Sequence, residues 1–229
     1  MARSDLRPVR TTLESRHDLM TPVCLVIADD HPMVRRALAE ALREEIAADC
    51  QILEAGSVAA CREILSRSSA DLLLLDLNMP GMDGLQGLQG LRREFPAVPI
   101  LIVSATEDAE VTRRALEAGA SGFLPKSSPI TAIGAAVNAV LQGEIWVPVG
   151  LEPGPVAGSA PRLRESSDLT PQQHRVLALL AEGKLNKEIA FELDVTEATV
   201  KAHMTQIFRK LGVQTRTQAA LVARRLIGG

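Results

Sequence analysis

The chain has 229 residues, 46% of them hydrophobic, a formal net charge of −3 and no tyrosine. Its apolar content is sufficient for a globular core, yet no apolar run approaches the roughly 20 residues that a membrane-spanning helix needs. Residues 20–143 carry 10 basic against 16 acidic side chains, whereas residues 168–229 carry 9 against 6. These opposite balances predict two domains with different partners, the basic one suited to a polyanion.

The first twenty residues and the cysteines exclude a secreted, disulfide-rich protein. Residues 1–20 contain arginines but no apolar stretch, so we expect a disordered tail there, with Met20 as an alternative start, rather than a secretory signal. Cys24, Cys50 and Cys61 are odd in number and show no metal-site spacing. This pattern predicts reduced thiols in a cytoplasmic protein.

Short apolar segments alternate with segments of helical periodicity between residues 21 and 143. The predicted strands are 22–28, 51–55, 72–76, 99–104 and 122–124. The first predicted helix begins at Pro32, and the other four cover about 57–66, 84–95, 108–118 and 128–141. Five strands alternating with five helices predict an α/β, doubly wound, five-stranded parallel sheet.

Polar side chains stand at the carboxyl ends of four predicted strands. Asp29 and Asp30 follow the first strand, Asp76 ends the third, Ser104 ends the fourth and Lys126 follows the last. The carboxyl ends of parallel strands share one edge of the sheet, where ligands bind, so we expect these groups to converge. The alternative is that each residue merely begins a turn.

This set of side chains fits phosphoryl chemistry. Three carboxylates at one site repel unless a cation is present, and hard oxygen ligands suit Mg²⁺. Mg²⁺ neutralises phosphoryl oxygens, and lysine can hold a phosphate as a compact charge. A carboxylate can also act as a nucleophile and give an aspartyl phosphate. Asp76 is central and precedes the turn at Pro80 and Gly81, so it is the expected acceptor.

The segments that carry these residues together resemble the receiver domain of bacterial response regulators. They are residues 27–31, 76–84, 103–105 and 122–126. The resemblance covers residues 22 to about 143 and implies a flavodoxin-like fold. It also implies that a sensor histidine kinase phosphorylates Asp76.

The resemblance further implies a role for each matching position. The implied magnesium ligands are Asp30, Asp76 and the backbone carbonyl of Asn78, with Asp29 assisting through water. Ser104 and Lys126 would hold the phosphoryl group. Phe123 falls where the family has an aromatic switch residue, although a core phenylalanine fits this position equally well.

A second domain is predicted after a Pro/Gly-rich linker. We expect the receiver at 21–143, the linker at 144–166 and an all-α domain at 167–229. Thr170, Pro171 and Gln173 have the pattern of a capped helix start. A short helix over 186–193, a turn of two residues and a helix over 196–211 then predict helix-turn-helix geometry.

The helix predicted over 196–211 has two distinct faces. Its buried stripe would consist of Val200, Met204, Ile207, Phe208 and Leu211. Its other face carries Ala198, Ala202, Thr205, Gln206 and Arg209, with Lys201 and His203 beside it. Periodicity alone favours a plain amphipathic helix, but small and polar residues between basic ones also suit a helix in a DNA major groove.

Motifs in this region look like the LuxR-type helix-turn-helix, and the whole chain therefore resembles a NarL/FixJ-type response regulator. The motifs lie at 169–171, 183, 186–190, 199–203 and 210–213. The expected contacts with duplex DNA are Asn186, Lys187, Thr199, Lys201, Ala202, His203, Thr205 and Arg209. Gln172 and Gln173 replace charged residues of the family, so we expect a buried charge network to be absent.

The resemblance implies a transcription regulator of a two-component system rather than an enzyme. It would be cytoplasmic, free of membranes and a homodimer when phosphorylated. One alternative is a haloacid-dehalogenase-like phosphatase, although those enzymes have an acid where this chain has Asn78. Another is a DNA-binding protein whose receiver no longer accepts phosphate. Phosphorylation could pair two receivers or release an inhibited second domain.

Overall fold

The computed structural model describes residues 22–46, 50–148 and 169–227. The predicted N-terminal tail and most of the predicted linker lie outside these residues. The described strands are β1 Cys24–Ala28, β2 Gln51–Ala55, β3 Leu72–Leu75, β4 Ile100–Ser104 and β5 Gly122–Pro125. The helices around them are α1 Pro32–Glu45, α2 Val58–Arg67, α3 Gly84–Glu94, α4 Ala109–Glu117 and α5 Ile130–Leu141. The remaining helices are α6 Pro171–Ala181, α7 Asn186–Leu193, α8 Glu197–Leu211 and α9 Arg216–Ile227.

The five strands form one parallel sheet in the order β2-β1-β3-β4-β5, which confirms the predicted fold class. Strand β3 explains why the sheet is covered on both faces. Leu72 and Leu74 pack with α1 and α5, whereas Leu73 and Leu75 pack with α2, α3 and α4. Because successive side chains point to opposite faces, a run of leucines fits only a strand with helices above and below it.

Local capping fixes where the helices begin. Pro32 occupies the first turn of α1, and the Ser57 hydroxyl accepts a hydrogen bond from the Ala60 N–H at the start of α2. The Asp108 carboxylate accepts from the Glu110 N–H at the start of α4. Capping residues have non-helical backbone angles, so α2 and α4 begin one residue after their predicted starts, whereas α1 begins at Pro32 as predicted.

The edge of the sheet beyond β5 pairs with the segment that leaves the receiver. The Phe123 N–H donates to the Trp146 carbonyl at 2.9 Å, and the Trp146 N–H donates to the Ser121 carbonyl at 3.2 Å. A Cβ atom on Gly122 would lie 2.9 Å from the Trp146 carbonyl oxygen, so this close approach requires glycine. Trp146, expected near the linker, thus belongs to the sheet.

Helices α6 to α9 form a second core, which Ala97 of the receiver also joins. The predicted capping box is confirmed, because the Thr170 hydroxyl accepts from the Gln173 N–H and the Gln173 side chain accepts from the Thr170 N–H. The predicted stripe of α8 is buried throughout. Helix α9, which was not predicted as a separate element, closes the core with Ala219, Val222 and Ala223.

Candidate functional site

The polar residues at the strand ends converge at the carboxyl edge of the sheet. Asp29 and Asp76 follow the neighbouring strands β1 and β3, and their exposed fractions are only 1% and 2%. Ser104, the last residue of β4, is also buried, and Lys126 follows β5. The groups that the sequence predicted to meet therefore share one pocket.

Lys126 links the two buried carboxylates. Its Nζ lies 2.8 Å from Asp76 Oδ2 and 2.6 Å from Asp29 Oδ2. Burial alone would lower the pKa of Lys126, but hydrogen bonds to both carboxylates and their charges raise it above its usual value. Lys126 is therefore a fixed positive charge beside Asp76, suited to holding the oxygens of a phosphoryl group.

The pocket has the donor chemistry of a divalent-cation site. Donor atoms of Asp29, Asp30, His31 and Asp76 lie within 4.8 Å of one another. Asp29 Oδ2 lies 2.6 Å from Lys126 Nζ, and Asp30 Oδ1 lies 2.7 Å from His31 Nδ1. Carboxylates clustered in this way fit a hard cation such as Mg²⁺.

The turn after β3 orients Asp76. The Asn78 N–H donates to Asp76 Oδ1 at 3.0 Å, while Asp76 Oδ2 faces Lys126. Ser104 Oγ accepts a hydrogen bond from the Thr106 N–H at 3.3 Å, which holds it at the pocket edge. Phe123 is completely buried within the core between the sheet and α2, α3 and α4. In this structure Phe123 is thus a core residue.

Helices α7 and α8 have helix-turn-helix geometry. Asp194 ends α7 in the left-handed conformation, with a φ of 52°, and aspartate tolerates this turn better than most residues. The Thr196 hydroxyl then accepts from the Thr199 N–H and begins α8. Ala202, Thr205 and Arg209 are exposed on α8, on the side expected to face DNA.

Two residues of the expected DNA side are engaged elsewhere. Asn186 is only 4% exposed, and its Oδ1 accepts from the Arg216 guanidinium at 3.1 Å, so its side-chain oxygen is bonded within the domain. Gln206 accepts a hydrogen bond from the Gln173 amide at 2.8 Å, and the Lys210 ammonium donates to Gln173. A network of two amides and one lysine thus joins α6 to α8.

Sequence reasoning missed Arg216, at the start of α9. Its guanidinium is buried and also donates to the Lys184 carbonyl, so it joins α9 to the start of α7. Burial lowers its pKa to about 10, which still leaves it charged at neutral pH. The sequence signal that could have indicated this link between α9 and α7 is a fourth amphipathic helix over 216–227.

The two domains contact each other at the edge of the sheet opposite Asp76. The Arg92 guanidinium of α3 donates to the Gln214 carbonyl, just before α9. A cavity of about 500 Å³ separates this contact from α8, and Thr205 and Arg209 line its far wall. Two residues expected to bind DNA therefore face the receiver.

Asp71 adds an electrostatic component to the same contact. It is a buried carboxylate directly before β3, and its Oδ2 accepts from the Cys24 N–H at 3.0 Å. Burial raises its pKa, while that hydrogen bond and the charges of Lys187 and Lys201 oppose the rise. The charges of two lysines expected to meet DNA phosphates thus act on an acidic group of the receiver.

Family models match both domains. Residues 25–138 match the response regulator receiver domain, and residues 167–223 match the bacterial regulatory proteins of the luxR family. The glycerol metabolism activator of Pseudomonas putida is 39% identical over 210 residues, which cover 87% of this chain and 94% of that protein. The transcriptional regulatory protein LiaR of Bacillus subtilis is 37% identical over 210 residues, which cover 88% of this chain and 96% of that protein.

A solved structure of two RcsB dimers bound to two parallel DNAs is also similar. It has a TM-score of 0.51 and 25% sequence identity, and the match covers 88% of this chain and 98% of that one. Within the described residues, no helix is long and apolar enough to cross a membrane. The two domain matches and the near full-length relatives show that the chain belongs to the response regulators that join a receiver to a luxR-family helix-turn-helix domain.

Proposed function

We propose that this response regulator accepts a phosphoryl group on Asp76 from a sensor histidine kinase and thereby controls its binding to duplex DNA. The observation that carries the proposal is the pocket in which Asp76 lies beside Lys126 and two further carboxylates. We further assign the protein to the cytoplasm, which suits its three cysteines, none of which forms a disulfide.

The transfer follows from the side chains of the pocket. An oxygen of Asp76 attacks the phosphorus of the partner's phosphohistidine, the P–N bond breaks, and the imidazole leaves with that electron pair while an acyl phosphate forms. Lys126 moves from the two carboxylates to the new phosphoryl oxygens, and the Ser104 hydroxyl donates to one of them. Mg²⁺ held by Asp30, Asp76 and the Asn78 carbonyl, with Asp29 assisting, would neutralise the charge of that group.

The DNA interface is assigned to one side of α8 and the start of α7. The assigned contacts are Lys187, Thr199, Lys201, Ala202, His203, Thr205 and Arg209. Basic groups would meet phosphates, and the small and polar residues would meet base edges. A single domain of this size makes few phosphate contacts, so a homodimer on two half-sites binds more tightly, as RcsB dimers bind DNA.

Phosphorylation acts by releasing the second domain from the receiver. The contact of Arg92 with the Gln214 carbonyl, and the position of Thr205 and Arg209 across the cavity, support a closed, unphosphorylated state. A phosphoryl group on Asp76 would favour a receiver conformation that holds this contact less well. The freed domains then pair on DNA.

The test is the reaction of the full chain with a small phosphodonor and Mg²⁺. We expect the mass of one phosphoryl group on the wild-type protein and none on Asp76→Asn. Asp83→Asn is the matched control, because Asp83 lies on the same turn at the exposed start of α3. Modification of Asp76→Asn at another aspartate would reject the assignment.

Sedimentation of the same samples distinguishes how phosphorylation acts. Release followed by pairing predicts that the phosphorylated protein shifts toward a dimer and binds DNA more tightly. Release alone predicts tighter DNA binding by an unchanged monomer, which would reject the dimer. Unchanged DNA binding by a fully phosphorylated protein would reject the switch itself.

A further inference from the structure

His31 directly follows the two aspartates of the pocket, and its imidazole turns back toward them. Its Nδ1 lies 2.7 Å from Asp30 Oδ1 and 3.2 Å from Asp29 Oδ1. The backbone N–H of His31 donates to Asp29 Oδ1 at 2.8 Å, and Pro32 restricts the backbone that follows. The side chain of His31 is 65% exposed, so the ring stands at the mouth of the pocket.

We propose that His31 is a nitrogen ligand of the divalent-cation site, which gives this receiver added affinity for late first-row cations such as Zn²⁺, Co²⁺ and Ni²⁺. Imidazole suits these cations, whereas Mg²⁺ prefers oxygen ligands and keeps its waters. The inference rests on the proposed function, because it takes the acidic pocket to be a cation site.

The spacing of the donor atoms fits shared coordination. Ligands about 2.1 Å from one ion, in adjacent positions of an octahedron, lie about 3 Å apart. The separations of 2.7 and 3.2 Å between Nδ1 and the two carboxylate oxygens bracket this value. An ion on the pocket side of these three atoms would need only small side-chain movements to reach them all.

The negative charge of the clustered carboxylates also favours a cation at this point. Where no ion is bound, the Nδ1–H tautomer of the imidazole can donate to Asp29 Oδ1, and a bound ion would take the place of that proton. Lys126 cannot supply that positive charge alone, because its Nζ contacts the Oδ2 atoms of Asp29 and Asp76. The Oδ1 atoms of Asp29 and Asp30 remain on the side of His31.

The cysteines are poor competitors for such an ion. Cys24, Cys50 and Cys61 are all buried, and burial raises the pKa of Cys61 to about 12, which disfavours the thiolate that metals bind. His174 is exposed on α6, in the other domain. It therefore serves as a matched control for a histidine without carboxylates arranged around it.

The experiment measures binding of Co²⁺ and, separately, of Mg²⁺ to the full chain by calorimetry. It uses the wild type, His31→Ala and His174→Ala at about pH 8, where an ordinary imidazole is neutral. The visible absorption of bound Co²⁺ is recorded in parallel, because it responds to replacement of a nitrogen ligand. His31 caps α1 only through its backbone, so the alanine variant should fold normally.

We expect His31→Ala to weaken Co²⁺ binding at least about tenfold, the loss typical even for outer partners of metal ligands. Its Co²⁺ spectrum should change and its Mg²⁺ affinity stay within about threefold, while His174→Ala resembles the wild type. Equal Co²⁺ affinity and spectra for wild type and His31→Ala would overturn the inference and leave the Mg²⁺ site intact. Failure of the wild type to bind either cation would overturn the proposed cation site as well.

Discussion

Asp71 shows how burial makes one carboxylate costly even though the charges of Lys187 and Lys201 oppose the effect. It lies at the opposite edge of the sheet from Asp76, and burial raises its pKa above the usual value of 3.8. A raised native pKa means that folding favours the protonated acid. Its contribution to stability is therefore greatest at low pH and falls as the pH rises from 3.8 through the native value.

Replacing this carboxyl by an amide should stabilise the protein at neutral pH. We expect Asp71→Asn to melt at a higher temperature than the wild type at pH 7, by about 2–4 °C for each kcal/mol gained. The difference should shrink as the pH falls toward 4, because both proteins then carry a neutral group. Calorimetry of the wild type and Asp71→Asn between pH 7 and pH 4 measures the difference in melting temperature.

A second substitution separates charge from hydrogen bonding at the same position. The amide introduced by Asp71→Asn would still offer an oxygen to the Cys24 N–H, whereas Asp71→Ala removes the acceptor and leaves a buried donor unpaired. Such a loss costs about 1–3 kcal/mol, so the alanine variant should be less stable than the asparagine variant at every pH. Equal melting temperatures for both would contradict a buried, hydrogen-bonded carboxyl.

At the scale of elements, α8 divides its residues between the domain core and the proposed DNA surface. Its buried stripe includes Val200 and Met204, and Lys210 is tied to Gln173 of α6. Lys201 and Thr205 lie on the other side, where the Thr205 hydroxyl donates to the Lys201 carbonyl at 3.0 Å. Substitutions on the two sides should therefore have different consequences.

Lys201→Ala should weaken binding to every duplex and lower the salt dependence of binding by about one phosphate contact. Lys210→Ala is the matched control on the same helix and should leave the salt dependence unchanged while lowering stability. Thr205 substitutions should instead change base preference. Fluorescence anisotropy at several salt concentrations tests all three, and an unchanged salt slope for Lys201→Ala would reject its phosphate contact.

The sequence allowed the elements to be predicted because each one combines an apolar period with a turn or capping signal. The run from Leu72 to Leu75 and the capping box at Thr170 are examples, and both are confirmed. Asn186 is a contrasting case, because the motif that predicts its contact with DNA does not reveal its bond to Arg216, thirty residues later. Gln206 was placed on the DNA side by helical period alone, yet its side chain accepts a hydrogen bond from Gln173 of α6.

The relation between the domains was beyond prediction for a similar reason. In the sequence Arg92 looks like an ordinary surface charge on α3, but it is 5% exposed and donates to the carbonyls of Val98, Pro96 and Gln214. Strand β3 spans about 13 Å at about 3.3 Å per residue, which separates Asp76 from this contact. Phosphate at one edge of the sheet must therefore act through the receiver to reach the other.

Removing the arginine should mimic phosphorylation. We expect Arg92→Met to bind DNA roughly 10- to 100-fold more tightly than the wild type without phosphodonor, since hydrogen bonds to a charged group contribute about 1.5–3 kcal/mol. Addition of the phosphodonor should then increase the DNA affinity of this variant only slightly. Anisotropy with a genomic binding site measures both effects.

Arg93→Met is the matched control, because Arg93 is exposed beside the same cavity and is not bonded to Gln214. It should behave as the wild type. Melting temperatures of both variants show whether the receiver remains folded, because Arg92 also holds the turn before β4. DNA binding by folded Arg92→Met that matches the unphosphorylated wild type would contradict the closed state.

The pairing of Trp146 with the edge of β5 has an optical consequence. Trp146 is the chain's single tryptophan, and there is no tyrosine, so nearly all its near-ultraviolet emission originates from this residue. The indole is partly buried against the core between the sheet and α1 and α5, where the chain leaves the receiver. The protein thus carries an intrinsic fluorophore at the junction of its two domains. A shift in the wavelength of tryptophan emission would report a change at this junction, and no attached dye is needed.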